Sequence, residues 1–199
     1  MVLEIVKYGH PALRQPGAPI PEVTEAIRRF AADLLETMRA AEGVGLAAPQ
    51  VGRALQMFVV DVSGVTDRPS TLELEGRSVD PKSAMPMVLI NPQVTPLNAP
   101  VTGPEGCLSF PEIFADITRP ESVEVCALDE HGRPVHFRCG GLLAKAIQHE
   151  QDHLQGILFI DRMSAAARRE LQPRLDALQA RTKAELARVK AQPVRAAAP

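Results

Sequence analysis

The stretch GLLAKAIQHEQDHLQG, residues 141–156, contains the pattern H-E-x-x-H. Residues four apart lie on the same face of a helix, so His149 and His153 can bind one metal ion together. Glu150 follows the first histidine and is close enough to reach a water molecule on that metal. Two imidazoles and a carboxylate base are the minimum set for metal-assisted hydrolysis, although the pattern also occurs by chance on surface helices.

A catalytic metal ion of this kind has three protein ligands and one open position. No histidine follows His153, so the third ligand is either an acidic residue downstream or a residue upstream. Upstream, Cys107 lies between Gly106 and Ser109 in a segment with little room for a helix, and a loop cysteine beside glycine suits a thiolate ligand. The commoner role of a lone cysteine is that of a small buried hydrophobic residue, and both interpretations stay open.

A glycine-rich segment, GVGLAAPQVG at residues 43–52, is the third candidate for the site. Gly43 and Gly45 let the backbone approach a ligand without a Cβ atom in the way. The side chain of Gln50 offers a neutral amide donor that could face a developing oxyanion. The alternative is a helix C-cap followed by a turn into the next strand.

Hydrophobic periodicity predicts one helix and four strands before the H-E-x-x-H stretch. The helix covers residues 21–42, with Thr24 as its N-cap and Gly43 just beyond its end. The strands are predicted at residues 57–62, 87–90, 122–128 and 135–139. Between the last two, the tetrapeptide DEHG at residues 129–132 is typical of a hairpin turn.

Two further segments complete the predicted fold. Residues 63–86 are polar and rich in Pro, Ser, Glu and Asp, which indicates a surface excursion rather than a core element. A last helix is predicted over residues 164–190, interrupted or capped near Pro173, with frayed residues after it. The simplest architecture is α+β: a mixed, mainly antiparallel sheet around a central metal-binding helix, with a C-terminal helix. We expect a catalytic domain at residues 1–163 and a basic helix and tail at residues 164–199.

The composition bounds the class of protein. Of the 199 residues, 45% are hydrophobic and 23% charged, as in ordinary globular proteins. No apolar run approaches the roughly 20 residues that span a bilayer, so no membrane partner is expected. Cys107, Cys126 and Cys139 are odd in number and widely spaced, which argues against disulfides, and the last two are interpreted as strand residues. Since the start also lacks a signal peptide, a cytoplasmic protein is predicted.

Charge is distributed unevenly along the chain. The net charge is −2, yet residues 164–199 hold eight basic and three acidic residues, which leaves +5 there and −7 on the rest. A basic tail on an acidic body is typical of a segment that contacts an anionic partner, nucleic acid being the usual candidate. The alternative is a solvated helix whose charges only keep the protein in solution.

Taken together, the three candidate segments resemble one protein family, the peptide deformylases. The similar stretches are GVGLAAPQ at 43–50, EGCLS at 105–109 and HEQDHLQG at 149–156, with YGHPALR at 8–14 and LINP at 89–92. They occur in the family's order and at suitable separations, and the resemblance covers residues 2–175. It implies removal of the formyl group from the N-terminal formyl-methionine of a nascent chain, with release of formate.

The resemblance also implies a metal centre. Cys107, His149 and His153 match the ligands of one divalent metal ion with water in the fourth position, natively Fe²⁺, with Ni²⁺, Co²⁺ or Zn²⁺ also accepted. Glu150 matches the general base, which takes a proton from that water and hands it to the departing amine.

Further positions match the family's substrate contacts. The Gln50 side chain and the Leu108 backbone N–H match the oxyanion donors, and Gly45 matches a backbone contact to the substrate. Apolar residues that flank the motifs are expected to hold the methionine side chain: Val44, Leu142 and Ala146. Ordinary core packing is the alternative for each of them.

Some positions depart from the family's pattern. Phe110 stands where a smaller aliphatic residue is usual, which leaves the local pocket shape open. The segment 63–86 is longer than in compact members. Arg119 matches a basic residue that could pair with Glu105 and hold the cysteine segment, a surface role being the alternative.

Two rival functions belong to other classes. The first is an H-E-x-x-H metallopeptidase that takes Glu170 as its third ligand. The second is a non-catalytic deformylase-like module that binds ribosomes, whose phosphate-rich surface suits the basic tail. Glu150 and Gln50 argue against the second, because a binding module would need neither. On an active deformylase, the same basic C-terminal helix is expected to contact the ribosome where nascent chains emerge.

Overall fold

The computed structural model of the protein describes the backbone of residues 1–191 and the side chains of residues 1–189. The helices are α1 Glu25–Ala40, α2 Gly141–Leu154 and α3 Ala165–Ala191. The strands are β1 Gly45–Ala47, β2 Met57–Val60, β3 Ser70–Leu74, β4 Arg77–Val79, β5 Met87–Pro96, β6 Pro100–Cys107, β7 Phe110–Pro120, β8 Ser122–Leu128 and β9 Pro134–Gly140. Fraying was predicted at the end of the chain, but the residues from 192 on lie outside the described residues.

The strands form two antiparallel sheets. Seven of them lie in the order β1-β2-β5-β8-β9-β3-β4, and β6 and β7 form a separate hairpin. Helix α2 contacts six strands of the large sheet and also β7 of the hairpin. The predicted α+β architecture, with a mainly antiparallel sheet around this helix and a helix near the C-terminus, is therefore confirmed.

Strand β2 shows why the sheet can hold a helix on each side. Phe58 and Val60 belong to the hydrophobic core around α2, whereas Met57 and Val59 belong to the core around α1. Successive side chains of a strand point to opposite faces, and a strand covered on both faces reads as a continuous apolar run. Ten of the 14 residues of α2 are buried, so its polar H-E-x-x-H residues lie inside the protein.

A third hydrophobic core joins α3 to the β6–β7 hairpin. Phe110 is 1% exposed, stacks on Tyr8 with 4.8 Å between ring centroids and meets Phe159 edge-on at 5.1 Å. Leu175 and Leu178 of α3 pack into the same core. The large side chain of Phe110 thus fits the structure because it packs against aromatic rings next to the hairpin.

The prediction that residues 63–86 form a surface excursion is wrong for its middle part. Strand β3 pairs with β9 and β4 pairs with β3, which extends the large sheet. Leu72 is 2% exposed and belongs to the core around α2. The segment reads as polar because only one face of β3 is buried, and the alternating residues Thr71 and Glu73 face away from that core.

The sequence interpretation also missed the β6–β7 hairpin. The sequence interpretation places Cys107 in a loop, but it is the last residue of β6. Only Leu108 and Ser109 separate it from β7. The register shifts between Gly106 and Cys107, where Cys107 pairs with Phe110. Irregular pairing of this kind next to a tight turn re-aims a side chain, which here is the cysteine.

The predicted interruption of the last helix at Pro173 is wrong as well. Helix α3 continues through this proline. Proline inside a helix costs about 3 kcal/mol, because it removes a hydrogen bond and crowds the preceding turn. Leu171 before it and Leu175 and Leu178 after it all pack on the third core, so tertiary burial on both sides holds the helix together.

Other predicted elements agree in position and differ at their ends. Thr24 caps α1, and its Oγ1 accepts a hydrogen bond from the Ile27 N–H at 3.4 Å. The prediction ends β5 at Ile90, whereas a bulge between Ile90 and Gln93 lets the strand continue along β8. Among residues 1–191, no helix is both long and apolar enough to cross a lipid bilayer. The domain division at residue 163 stays a prediction.

Candidate metal centre and active site

Three side chains that could bind one metal ion converge where β6 ends against α2. The Sγ atom of Cys107 and ring nitrogens of His149 and His153 all lie within 4.8 Å of one another. Cys107 Sγ is 3.3 Å from His153 Nε2. Both histidines are buried and Cys107 is half-buried. The hairpin therefore brings the upstream cysteine to the face of α2 that carries the two histidines.

The chemistry of these donors fits a divalent transition metal. A thiolate with two imidazoles suits Zn²⁺, Fe²⁺, Co²⁺ and Ni²⁺ alike. His149 Nδ1 lies 2.6 Å from Glu105 Oε1, which leaves its Nε2 atom for a metal. Burial lowers the pKa of His149, but hydrogen bonds with Cys107 and Glu105 outweigh it and raise the pKa overall. A metal ion bound there would replace that proton, because a ligating imidazole is neutral, and burial lowers the pKa of His153.

A buried ionic network supports the first histidine. Arg119 donates to both oxygens of Glu105, at 2.7 Å and 2.6 Å, and to Asp152 Oδ2 at 2.9 Å. Burial would raise the pKa of Glu105, but the bonds from Arg119 and His149 lower it to about 2. Arg162 donates to both carboxylate oxygens of Asp152. The predicted Arg119–Glu105 pair is confirmed, and the surface alternative is wrong because the Arg119 side chain is 3% exposed.

Replacing Arg119 should destabilise the fold strongly. Arg119→Met keeps the bulk but leaves the charges of Glu105 and Asp152 without their shared partner, which typically costs about 3–5 kcal/mol in a buried network. Denaturant unfolding measures this loss directly. As a control, Arg138→Met removes an arginine that pairs with Glu124 at 2.9 Å but is 54% exposed, and it should cost far less stability. Equal losses in the two variants would contradict this account of the network.

Glu150 is a carboxylate held against a glycine. It is 4% exposed, and a Cβ atom at Gly45 would clash with its Oε1. A glycine at this position is therefore what gives the carboxylate room. Burial raises the pKa of Glu150 to about 7, and its Oε2 accepts no hydrogen bond from the described residues. A carboxylate with these properties suits proton transfer near neutral pH.

Gln50 is oriented by its neighbours. Its Oε1 accepts a hydrogen bond from the Ala47 N–H at 2.8 Å, so its Nε2 points to the other side. That nitrogen lies 3.5 Å from Cys107 Sγ and 3.4 Å from Ser109 Oγ. The Leu108 carbonyl in the adjacent turn accepts from Lys7 Nζ at 2.9 Å, which tethers the turn. The amide donor of Gln50 thus lies beside the metal ligand.

One cleft collects most of the residues predicted for the site. It is lined by the cysteine and first histidine, by the predicted base and amide, and by the predicted substrate contacts: Cys107, His149, Glu150, Gln50, Leu108, Gly45, Val44, Leu142 and Ala146. Leu142 and Ala146 are buried, and Val44 is half-buried. His153 lies behind them, 1% exposed.

The cleft also has lining residues that the sequence interpretation missed: Glu42, Arg68, Phe114 and Lys145 among them. Lys145 lies four residues before His149, so helical spacing could have found it. Arg68 belongs to the segment interpreted as an excursion, and Phe114 to a strand that was not predicted. Glu170, the third ligand of the rival metallopeptidase, lies exposed on α3 and is not part of the metal-binding group.

Comparison with known proteins agrees with this geometry. The family model described as polypeptide deformylase matches residues 2–169. The peptide deformylase of Methylacidiphilum infernorum is 43% identical over 179 residues, covering 90% of this chain and 94% of that protein. The peptide deformylase of Opitutus terrae is 45% identical over 170 residues, covering 84% and 88%.

Solved structures show the same likeness. The peptide deformylase from Synechococcus elongatus in complex with actinonin has a TM-score of 0.73 and 40% identity, with 88% of this chain and 85% of that chain covered. The Thermus thermophilus peptide deformylase has a TM-score of 0.77 and 35% identity, with 92% and 99% covered. The resemblance noted in the sequence is confirmed: this chain belongs to the polypeptide deformylase family, the metal-dependent hydrolases that remove the N-formyl group from newly made polypeptides.

Proposed function

We propose that this chain hydrolyses the N-terminal formyl group of formyl-methionyl peptides with the residues of this one cleft. The observation that carries the proposal is the convergence of Cys107, His149 and His153 beside the buried carboxylate of Glu150. The three ligands would hold one divalent metal ion. Such an ion, when bound, polarises a carbonyl group and lowers the pKa of a bound water molecule.

Protein groups transfer the proton and stabilise the negative charge that develops during the reaction. Glu150 accepts a proton from the attacking water and returns it to the amine nitrogen as the carbon–nitrogen bond of the formamide breaks. The products are formate and a peptide with a free amino terminus. Gln50 Nε2 and the Leu108 N–H donate hydrogen bonds to the oxygen that gains charge, and loss of one such donor typically costs about 2.7–4 kcal/mol of barrier.

The apolar wall of the cleft is proposed to hold the methionine side chain. Val44, Leu142 and Ala146 line the cleft together with Gly45, whose backbone is proposed to contact the substrate. Leu142 and Ala146 are four residues apart on α2 and so lie on one face, next to His149. A flexible thioether side chain packs well on such a surface.

The proposal is tested by the products released from a formyl-methionyl peptide with an amidated C-terminus. We expect formate and the deformylated peptide in equal amounts, measured by formate assay and mass spectrometry. Cleavage of an internal peptide bond with the formyl group retained would instead support the rival metallopeptidase and overturn the proposal.

Fe²⁺ is proposed as the native metal ion. We expect the iron-loaded enzyme to lose activity in air, because Fe²⁺ or the Cys107 thiolate oxidises, and the nickel-loaded enzyme to retain it. The measurement is formate release after timed exposure of both forms to air, with anaerobic samples as the reference. An iron-loaded enzyme that is unaffected by hours in air would contradict this assignment.

The basic part of α3 is proposed to contact the ribosome, which would place the enzyme near emerging chains in the cytoplasm. Arg181, Lys183 and Arg188 are exposed on this helix. Reversing all three charges should weaken co-sedimentation with ribosomes at low salt and leave hydrolysis of short formyl peptides intact. The parent's co-sedimentation should itself fall steeply with salt, because binding to phosphates releases counterions.

A matched control reverses three exposed basic residues away from α3: Arg29, Arg77 and Lys82. This variant has the same net charge as the first. If both variants pellet with ribosomes as the parent does, α3 is only a solvated helix. If both lose binding equally, net charge rather than the helix is responsible.

A further inference from the structure

Two basic side chains line the cleft without a part in the chemistry proposed above: Arg68, from the segment before β3, and Lys145, from α2. Lys145 lies one helical turn before His149 and on the same face. Both residues also line a neighbouring apolar hollow, which shares Pro104 and Leu142 with the cleft. We call Arg68 and Lys145 the basic rim. It marks the place where the cleft opens onto the hollow.

The basic rim forms few close ion pairs with acidic side chains. Lys145 Nζ donates to the Pro104 carbonyl at 3.3 Å, which uses one of its three N–H donors. Within 4.0 Å, no carboxylate of the described residues pairs with it. Arg68 pairs with its chain neighbour Asp67 at 3.8 Å, and this aspartate is 81% exposed, so the pair contributes little.

The ammonium group of the half-buried Lys145 lies beside a glycine. A Cβ atom at Gly103 would lie 3.0 Å from Lys145 Nζ, so a larger residue there would crowd it. Burial lowers the pKa of Lys145, the negative charge of Glu105 raises it, and the positive charges of Arg119 and Arg68 lower it again. An anion bound at the basic rim would offset the positive charges around this ammonium group.

The acidic residues that line the cleft contact other residues or belong to segments other than those of Arg68 and Lys145. Glu105 is paired with Arg119, and Glu150 lies against Gly45. Glu42 belongs to the loop after α1. Glu121 is the one carboxylate among the residues that line the hollow, so Arg68 and Lys145 leave an excess of positive charge where the cleft meets the hollow. A peptide whose formyl group lies near Glu150 must leave the cleft past one of its openings.

We infer that the basic rim selects formyl-methionyl peptides that carry a carboxylate side chain, Asp or Glu, at the first or second position after the methionine. The inference rests on the proposed function, because it assumes that the formyl group lies at the metal centre. Two partly exposed ion pairs of this kind should raise kcat/KM by about threefold to tenfold. The preference should shrink with added salt, since exposed charges are screened.

The test uses amidated peptides, so that no C-terminal carboxylate competes. Formyl-Met-Glu-Ala-amide is compared with formyl-Met-Gln-Ala-amide, and formyl-Met-Ala-Glu-amide with formyl-Met-Ala-Gln-amide. Glutamate and glutamine have the same shape, so the ratio of kcat/KM within each pair reports charge alone. Because both peptides are measured on the same enzyme, a loss of folded protein cancels in the ratio.

The variants separate the basic rim from general charge. The double variant Arg68→Gln with Lys145→Gln should bring the ratio to about one, and Lys145→Arg should keep it. Arg77→Gln removes an exposed positive charge on β4, outside the cleft, and should also leave the ratio as it is in the parent.

Each outcome decides the inference. A parent ratio of at least about threefold at either position, lost in the double variant and kept in the two single variants, supports it. A parent ratio near one at both positions, or a ratio that survives in the double variant, overturns it while the proposed function stands. If none of the formyl peptides is hydrolysed, the proposed function fails and the inference fails with it.

Discussion

The Glu150→Gln enzyme should bind its metal ion as the parent does and lose about 10²–10⁴-fold of its deformylation rate. Glutamine has the size of glutamate, so the space beside Gly45 is still filled, but its amide cannot accept the proton of the attacking water. Glu150 is outside the group of three ligands, so metal content should not change. Metal analysis and formate release on the same preparation measure the two effects together.

A matched control makes the same chemical change elsewhere. Glu170→Gln alters an exposed carboxylate on α3 and should leave both metal content and activity unchanged. It also tests the rival metallopeptidase, in which Glu170 is the third ligand and its loss removes the metal. Activity of Glu150→Gln within tenfold of the parent would contradict the role of base.

The Cys107→Ala enzyme should lose its metal ion, or hold it at least about a hundredfold more weakly, and release no measurable formate. Removing even an outer partner of a metal ligand typically costs 10–100-fold in affinity, and removal of one of three direct ligands costs more. The buried histidines alone leave the coordination incomplete. Metal content after dialysis and formate release are the readouts.

Cys126→Ala is the control for this experiment. Cys126 is an exposed free thiol on β8, outside the metal-binding group, so its loss should change neither readout. The metallopeptidase alternative makes the opposite prediction for Cys107, whose replacement would then be harmless. Full metal content in Cys107→Ala would rule out the thiolate as a ligand.

The helix of the site could be predicted because its signals are local. Histidines four apart place two ligands on one face wherever the helix lies, and the apolar runs of β2 and β5 identify strands covered on both sides. The position of Cys107 could not be derived in this way. Its distance to His153 depends on the β6–β7 hairpin and its irregular register, which pair residues by contacts that no short segment encodes.

The errors have related causes. Strand β3 exposes one face, so most residues of its segment are polar although Leu72 is buried. The polar composition therefore indicated a surface segment, and the alternation of buried and exposed residues that marks a strand was missed. Pro173 is a strong local signal for a break, but burial of Leu175 and Leu178 outweighs it. Lys145 and Arg68 come together at the cleft from segments far apart in the chain. Tertiary packing decides each of these features.

The central claim is that one metal ion, held by Cys107, His149 and His153, completes an active site around Glu150. It is tested most directly by titrating the metal-free protein with Fe²⁺ under anaerobic conditions while formate release from a formyl-methionyl peptide is followed. Activity should start near zero, rise linearly and level off at one ion per chain. Full activity without metal, or a plateau that needs two ions per chain, would contradict the claim.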